Sequence, residues 1–300
     1  MKTQTLHDNE IPVDGLLVQR LVAAQFPNWS GLPLKQLEAS GSSNLLFRLG
    51  ENYLVRLPRQ PGGGRTIVKE STWLPSLKDQ LDIRIPEIVA LGEPTDQFPE
   101  TWSIQRWIPG YRVEAGNRNA ELAKTLAASI NQLRSIPLPR DIDKSLRPYR
   151  GRSLQTQNAA FQHNLEACRT IKGLDIDLDA VLQIWNDALL QPEAEYQHWF
   201  HSDLVAENLL IDDNGKLAAI LDFGGLGIGD PAIDLHGAWE IFSSDARHQF
   251  RDLMNVSEAE WQRGKAWALA VPLMTFSYYW HTMPGRVADR MKMLRAVLEE

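Results

Sequence analysis

The chain of 300 residues has very little cysteine: Cys168 is the only one. An intrachain disulfide and an all-cysteine metal site are therefore both excluded, and the chain reads as one from a reducing compartment. A basic excess is also lacking. Lysine and arginine number 31 against 38 aspartates and glutamates, a net charge of −7. A domain that grips nucleic acid through its phosphates carries the opposite balance, so a nucleic-acid partner is not expected. Long apolar runs are missing too. The most apolar stretch, Ala266 to Trp280, is about 15 residues and is interrupted by Pro272, Thr275 and Ser277, short of the roughly 20 a membrane helix needs. It reads as a buried core helix. The opening segment Met1 to Glu10 is polar and has no apolar signal core, so a soluble cytoplasmic protein is expected. What is present is ordinary for a folded chain: 43% hydrophobic and 23% charged residues, which excludes wholesale disorder.

The first hundred residues read as mixed. Val13 to Phe26 has helical spacing, followed by strand-like runs at Leu32–Glu38, Leu45–Leu49 and Tyr53–Leu57, separated by turn signals. This predicts an antiparallel meander. After Pro61-Gly62-Gly63-Gly64 comes a helical stretch from Thr66 to about Leu81, then strands at Ile85–Leu91 and Trp102–Trp107. Beyond Pro109-Gly110 the pattern turns helical: Glu121–Ile136, Leu154–Ile171, Leu178–Leu190, Asp245–Met254 and Glu258–Trp280. One strand–loop–strand block, Trp199 to Gly229, interrupts it.

That block carries the chemistry. His201-Ser202-Asp203 is followed at Asn208 by an apolar strand, the tight turn Asp213-Asn214-Gly215, a second apolar strand and Asp222-Phe223-Gly224. The turn folds the second strand back on the first, so Asn208 returns beside Asp222. The order His-x-Asp-x-x-x-x-Asn, then Asp-Phe-Gly, has the spacing of kinase catalytic loops. Phosphoryl transfer is mostly positioning and charge neutralisation. A hard cation takes amide and carboxylate oxygens, which Asn208 and Asp222 offer. Asp203, five residues before Asn208, is placed to accept the proton of an acceptor hydroxyl. No Walker-type phosphate loop, no Gly-x-Gly-x-x-Gly, no His-Glu-x-x-His and no Gly-x-Ser-x-Gly occurs. Asp230-Pro231 reads as a helix start rather than a catalytic acid.

Phe200 to Leu235 resembles the aminoglycoside phosphotransferase family, bacterial small-molecule kinases with a protein-kinase-like fold. The resemblance rests on His201-Ser202-Asp203, Glu207-Asn208-Leu209-Leu210, Asp222-Phe223-Gly224 and Gly229-Asp230-Pro231-Ala232-Ile233-Asp234-Leu235. It extends upstream to Gly41–Asn44, Val55-Arg56-Leu57-Pro58-Arg59, Lys69-Glu70 and Trp107-Ile108-Pro109-Gly110.

The resemblance implies an α+β, two-lobed fold: an N-terminal nucleotide-binding lobe over residues 1–107, with an antiparallel sheet and a helix, and a larger, mainly helical catalytic and acceptor-binding lobe over 108–300. It implies Asp203 as base, Asn208 and Asp222 as Mg2+ ligands, and ATP or GTP as donor. Ser40, Gly41, Ser42, Ser43 and Asn44 become the loop over the nucleotide phosphates. Arg56 stands where such kinases often place lysine, with Glu70 as its ion-pair partner. The alternative for Arg56 is a surface arginine at a strand edge. Gln105 and Trp107 fall at the purine-facing hinge. Glu207, His236, Trp239 and Glu240 are candidate acceptor contacts. Ser202 and Glu207 each depart from a family glycine. Asp234 is expected to bind the catalytic-loop backbone.

The implied activity is transfer of a γ-phosphoryl group to a hydroxyl of a small acceptor, an aminoglycoside or other antibiotic, in resistance. A metabolic amine, sugar or amino alcohol is the competing acceptor. The acidic balance points to a cationic one. A catalytically silent nucleotide-binding relative and an interaction module that borrows the fold are the rival classes.

Overall fold

The computed structural model describes residues 6–37 and 41–300. Ser40 and Glu38, named above, lie outside the described residues. The chain divides into two compact units, one of residues 1–78 with 85–109, the other of 79–84 with 110–300.

The smaller unit opens with α1 (Gly15–Gln25), whose first turn is capped by Asp14 accepting from the Leu17 amide at 2.7 Å. Then come β1 (Leu34–Gln36), β2 (Asn44–Leu49), β3 (Tyr53–Pro58), α2 (Gly64–Lys78), β4 (Ile88–Gly92) and β5 (Trp102–Arg106). They form one antiparallel sheet in the order β1-β2-β3-β5-β4. The predicted meander is present as β1-β2-β3, while β5 inserts between β3 and β4. Alternation along β2 and β3 sends Leu45, Phe47, Leu49, Val55 and Leu57 to the face covered by α1, where they bury with Val18, Val22 and Trp102. Helix α2 starts two residues earlier than the pattern predicts. The Glu100 carboxylate accepts from the amides of Gly62 (2.6 Å) and Gly64 (2.9 Å), satisfying backbone donors that open the helix.

The larger unit contains β6 (Tyr111–Arg112), α3 (Ala120–Ser135), α4 (Leu154–Arg169), α5 (Leu178–Leu189), β7 (His198–Phe200), β8 (Leu209–Ile211), β9 (Leu217–Ile220), β10 (Gly227–Gly229), α6 (Ala238–Ile241), α7 (Ser244–Met254), α8 (Glu258–Tyr279) and α9 (Pro284–Leu298). The apolar run from Ala266 lies in α8, the helix with Trp261, Trp267, Leu269, Leu273 and Phe276 all buried. Among the described residues no helix is long and apolar enough to cross a membrane. Strands β8 and β9 form the predicted hairpin, with β6 on its far side, and β7 pairs with β10. Helix α9 has no counterpart in the elements predicted from the sequence.

Candidate active site

The loop between β7 and β8 holds Asp203, and Asp222 follows β9 by two residues. Hairpin register puts Leu209 opposite Ile220, and the Leu221 amide donates to the Asn208 carbonyl at 2.8 Å. Asn208 is thereby fixed next to Asp222. The Asn208 amide nitrogen donates to the Asp203 carbonyl (2.8 Å) and to Asp203 Oδ2 (3.0 Å), which leaves its oxygen as the acceptor. Asp222 leaves the strand in the left-handed region, φ 56° and ψ 71°.

Asp234 carries the loop from below. Its two oxygens accept from the amides of His201 (2.8 Å) and Ser202 (2.7 Å). This is the backbone role expected of it. Burial pushes its carboxyl above the usual range, against the pull of His201 and those amides. His201 is buried, its Nε2 bonded to the Leu221 carbonyl (2.9 Å) and its ring edge-on to Phe223. Its Nδ1 accepts from the Asp203 amide at 3.2 Å. Both ring nitrogens are spent on the loop, so His201 positions Asp203 and shuttles no proton.

Ser202 sits at φ 75°, where a side chain is strained by roughly 1–2 kcal/mol. That conformation is why glycine suits the position. Ser202 Oγ donates to the Gly225 carbonyl at 3.0 Å, and a Cβ on Gly225 would lie 2.0 Å from it, so a serine here requires a glycine there.

Arginines that the sequence did not flag surround the base. Arg150 Nη1 reaches Asp203 Oδ1 at 2.6 Å and the Ser202 carbonyl at 3.0 Å. Burial alone would raise the Asp203 carboxyl. Arg150, then Arg290 and His236, outweigh it and hold the group well below the usual carboxylate range. Glu207 pairs with Arg286 and with Arg290, each at 3.0 Å. Arg290 also pairs with Glu240, whose other oxygen accepts from the Ala206 amide at 2.9 Å. Glu240 is 2% exposed and Trp239 1%. Trp239 packs on Trp261 and donates to Glu300 at 2.6 Å, so it is a core residue. His236 is buried with Nδ1 on the Ile233 carbonyl, and desolvation drives its pKa down to about 4, leaving it neutral.

In the smaller unit, Arg56 is on a central strand and 5% exposed. The surface-arginine reading is thereby overturned. On the face of β3 opposite Val55 and Leu57, its Nη1 meets Glu70 Oε2 of α2 at 2.5 Å. The Asn44 amide, oxygen inward, accepts from Arg56 Nε (3.1 Å) and Nη2 (3.0 Å). The carbonyls of Gly41 and Ser43 are held by Arg59 (3.1 and 2.9 Å), and that of Ser42 by His7 (2.8 Å). Gln105 is buried and donates to Ser103 at 3.3 Å. The Trp107 amide donates to the Asn52 carbonyl at 2.8 Å, under the Arg48 guanidinium stacked 3.6 Å from its ring.

A cavity of about 500 Å³ lies elsewhere in the larger unit, beside Gly151, Gly229 and Asp230, and does not include Asp203. Its innermost charges, Asp230 and Arg263, are paired with each other at 2.7 Å, so it offers no unspent charge there. Among the described residues no group of three or more His, Cys, Asp or Glu could hold a metal ion.

A five-stranded antiparallel sheet with a buried Arg–Glu pair, and a helical unit carrying an Asp–Asn–Asp hairpin, define a protein-kinase-like fold. Comparison then fixes the family. The model of the phosphotransferase enzyme family (APH) matches residues 34–267, and the chain belongs to that family. Among solved structures, the GDP complex of wild-type aminoglycoside 2'-phosphotransferase-IIIa is similar at TM-score 0.70 and 19% identity, covering 96% of this chain and 99% of that one. A macrolide 2'-phosphotransferase from Brachybacterium faecium gives 0.62 and 18%, covering 94% and 97%. A type I macrolide 2'-phosphotransferase gives 0.66 and 15%, covering 94% and 98%. No curated protein matches the chain.

Proposed function

We propose that the chain transfers the γ-phosphoryl group of ATP or GTP to a hydroxyl of a small molecule. The observation that carries this reading is the loop and hairpin in which Asn208 bonds Asp203 and pairs with Leu221, the residue before Asp222, with Asp203 held ionised. An ionised aspartate can orient a hydroxyl and take its proton as the bond to phosphorus forms. The proton leaves the hydroxyl for Asp203, and the nucleoside diphosphate departs.

Asn208 Oδ1 and the Asp222 carboxylate fit Mg2+. This ion takes few protein oxygens and completes its shell with water and nucleotide phosphates. When bound, magnesium neutralises the phosphates. In the smaller unit, Arg56, braced by Glu70 and Asn44, supplies a fixed cation for the donor phosphates. The carbonyls of Gly41, Ser42 and Ser43 are engaged within the unit, and backbone amides of the loop would cradle those phosphates. Gln105 and Trp107 stand at the base-binding end of the same unit. On this reading residues 1–107 form the nucleotide lobe and 108–300 the catalytic and acceptor lobe.

The test is transfer of label from γ-labelled nucleotide, with magnesium, to a panel of aminoglycosides, macrolides, choline and sugars. Acceptor-bound label is expected. Nucleotide binding with no labelled product from any member would favour the silent relative instead.

A further inference from the structure

The acidic balance of the whole chain suggests a cationic acceptor, but the carboxylates around the base are already taken. Asp203 is held by Arg150 at 2.6 Å, Glu207 by Arg286 and Arg290 at 3.0 Å each, and the buried Glu240 by Arg290. Three carboxylates meet three guanidiniums. None of these three carboxylates is left unpaired to receive an ammonium group, and each arginine repels one. His236, neutral, adds no negative charge.

What flanks these arginines is aromatic and thioether surface. Arg150 Nε donates to the Tyr149 hydroxyl at 3.0 Å, and that hydroxyl lies 3.9 Å from the Met274 sulfur. The Arg286 guanidinium lies over the Tyr279 ring at 5.7 Å, and Tyr279 packs edge-on against Tyr278 at 4.7 Å. Tyr149 and Tyr278 are 48% and 54% exposed, so the wall is open to a ligand. Arg150 Nη2 has no protein partner among the described residues, a donor free for an acceptor oxygen.

We infer that the acceptor carries its reacting hydroxyl on a body with a broad apolar face and no more than one positive charge, and that polycations are poor ligands. This rests on the small-molecule-kinase reading and names its substrate class. Arg286 is the specificity-determining residue: it keeps Glu207 from acting as an ammonium receptor.

The test is calorimetric titration of the full chain at low ionic strength with neomycin, a polycation, and erythromycin, which has one amine on an apolar body. Erythromycin is expected to bind at least tenfold more tightly. Arg286→Gln, which frees one Glu207 oxygen, should tighten neomycin binding about tenfold, while Arg286→Lys, which keeps the charge, should not. Tighter binding of neomycin by the unaltered chain overturns the inference, as does failure of Arg286→Gln to gain, or no preference between the two ligands. Label transfer in the same preparation separates the two readings. Transfer that favours polycations overturns the acceptor class and leaves the kinase standing, whereas absence of Asp203-dependent transfer removes the kinase.

Discussion

Asp203 and Arg150 form an opposed pair: the arginine keeps the aspartate ionised and at the same time weakens it as a base. Arg150→Ala removes the nearest cation, so the Asp203 carboxyl rises towards its ordinary value of about 4. A protonated carboxyl cannot take the hydroxyl proton, and a higher pKa leaves more of it protonated at a given low pH. The kcat/KM profile of the unaltered chain should therefore hold down to lower pH, while the variant loses activity as pH falls through about 5 to 4. Profiles measured from pH 4 to 8 check this; identical acid limbs would contradict it. Residues of the loop itself were legible in the sequence, because Asp203, Asn208 and Asp222 lie close together in the chain, around one hairpin whose turn residues are visible. Arg150 was not. It reaches Asp203 across 53 residues, and Arg290 reaches Glu207 across 83. No local pattern encodes contacts of that separation. Ser202 was visible as a departure from glycine, but its strained φ and its bond to Gly225 were not.

Among the elements not predicted, α9 is the longest, and its composition explains the omission. Its buried stripe runs Val287, Arg290, Met293, Leu294 and Val297, so a charged residue occupies a core position and breaks the apolar pattern. The arginine is there because Glu240 is buried opposite it on α6. Arg290→Ala leaves that carboxylate uncompensated and should cost about 3–5 kcal/mol of stability, read as a lower urea midpoint. A loss under about 1 kcal/mol would show that the pair holds nothing together. The same logic applies between β3 and α2, where Glu70→Ala strands the buried Arg56 and should destabilise by a similar amount. The strands themselves were predicted to within a few residues, since alternation and turn residues are local. That β5 enters between β3 and β4 is a long-range pairing choice which neither propensity nor turn chemistry records.

For the whole molecule, a net charge of −7 and a charge-compensated centre coexist because the excess acid lies away from Asp203. Composition records the total charge and not where it lies, so by itself it cannot describe the surroundings of Asp203. On the proposed function, magnesium–nucleotide binding to the folded chain alone should raise the melting temperature. At about 100 times Kd the stabilisation is about 2.7 kcal/mol. Nucleotide without magnesium should give less, and Asp222→Asn should shrink the difference. An equal rise with and without the metal would contradict the role given to Asn208 and Asp222.

The central claim is phosphoryl transfer through Asp203, and the most direct measurement is acceptor-dependent nucleoside diphosphate release by the unaltered chain and by Asp203→Asn, with nucleotide binding followed in both. The account predicts undiminished nucleotide binding and a loss of at least 100-fold in turnover for the variant, the lower end of what a positioned base contributes. Turnover equal to that of the unaltered chain would contradict it.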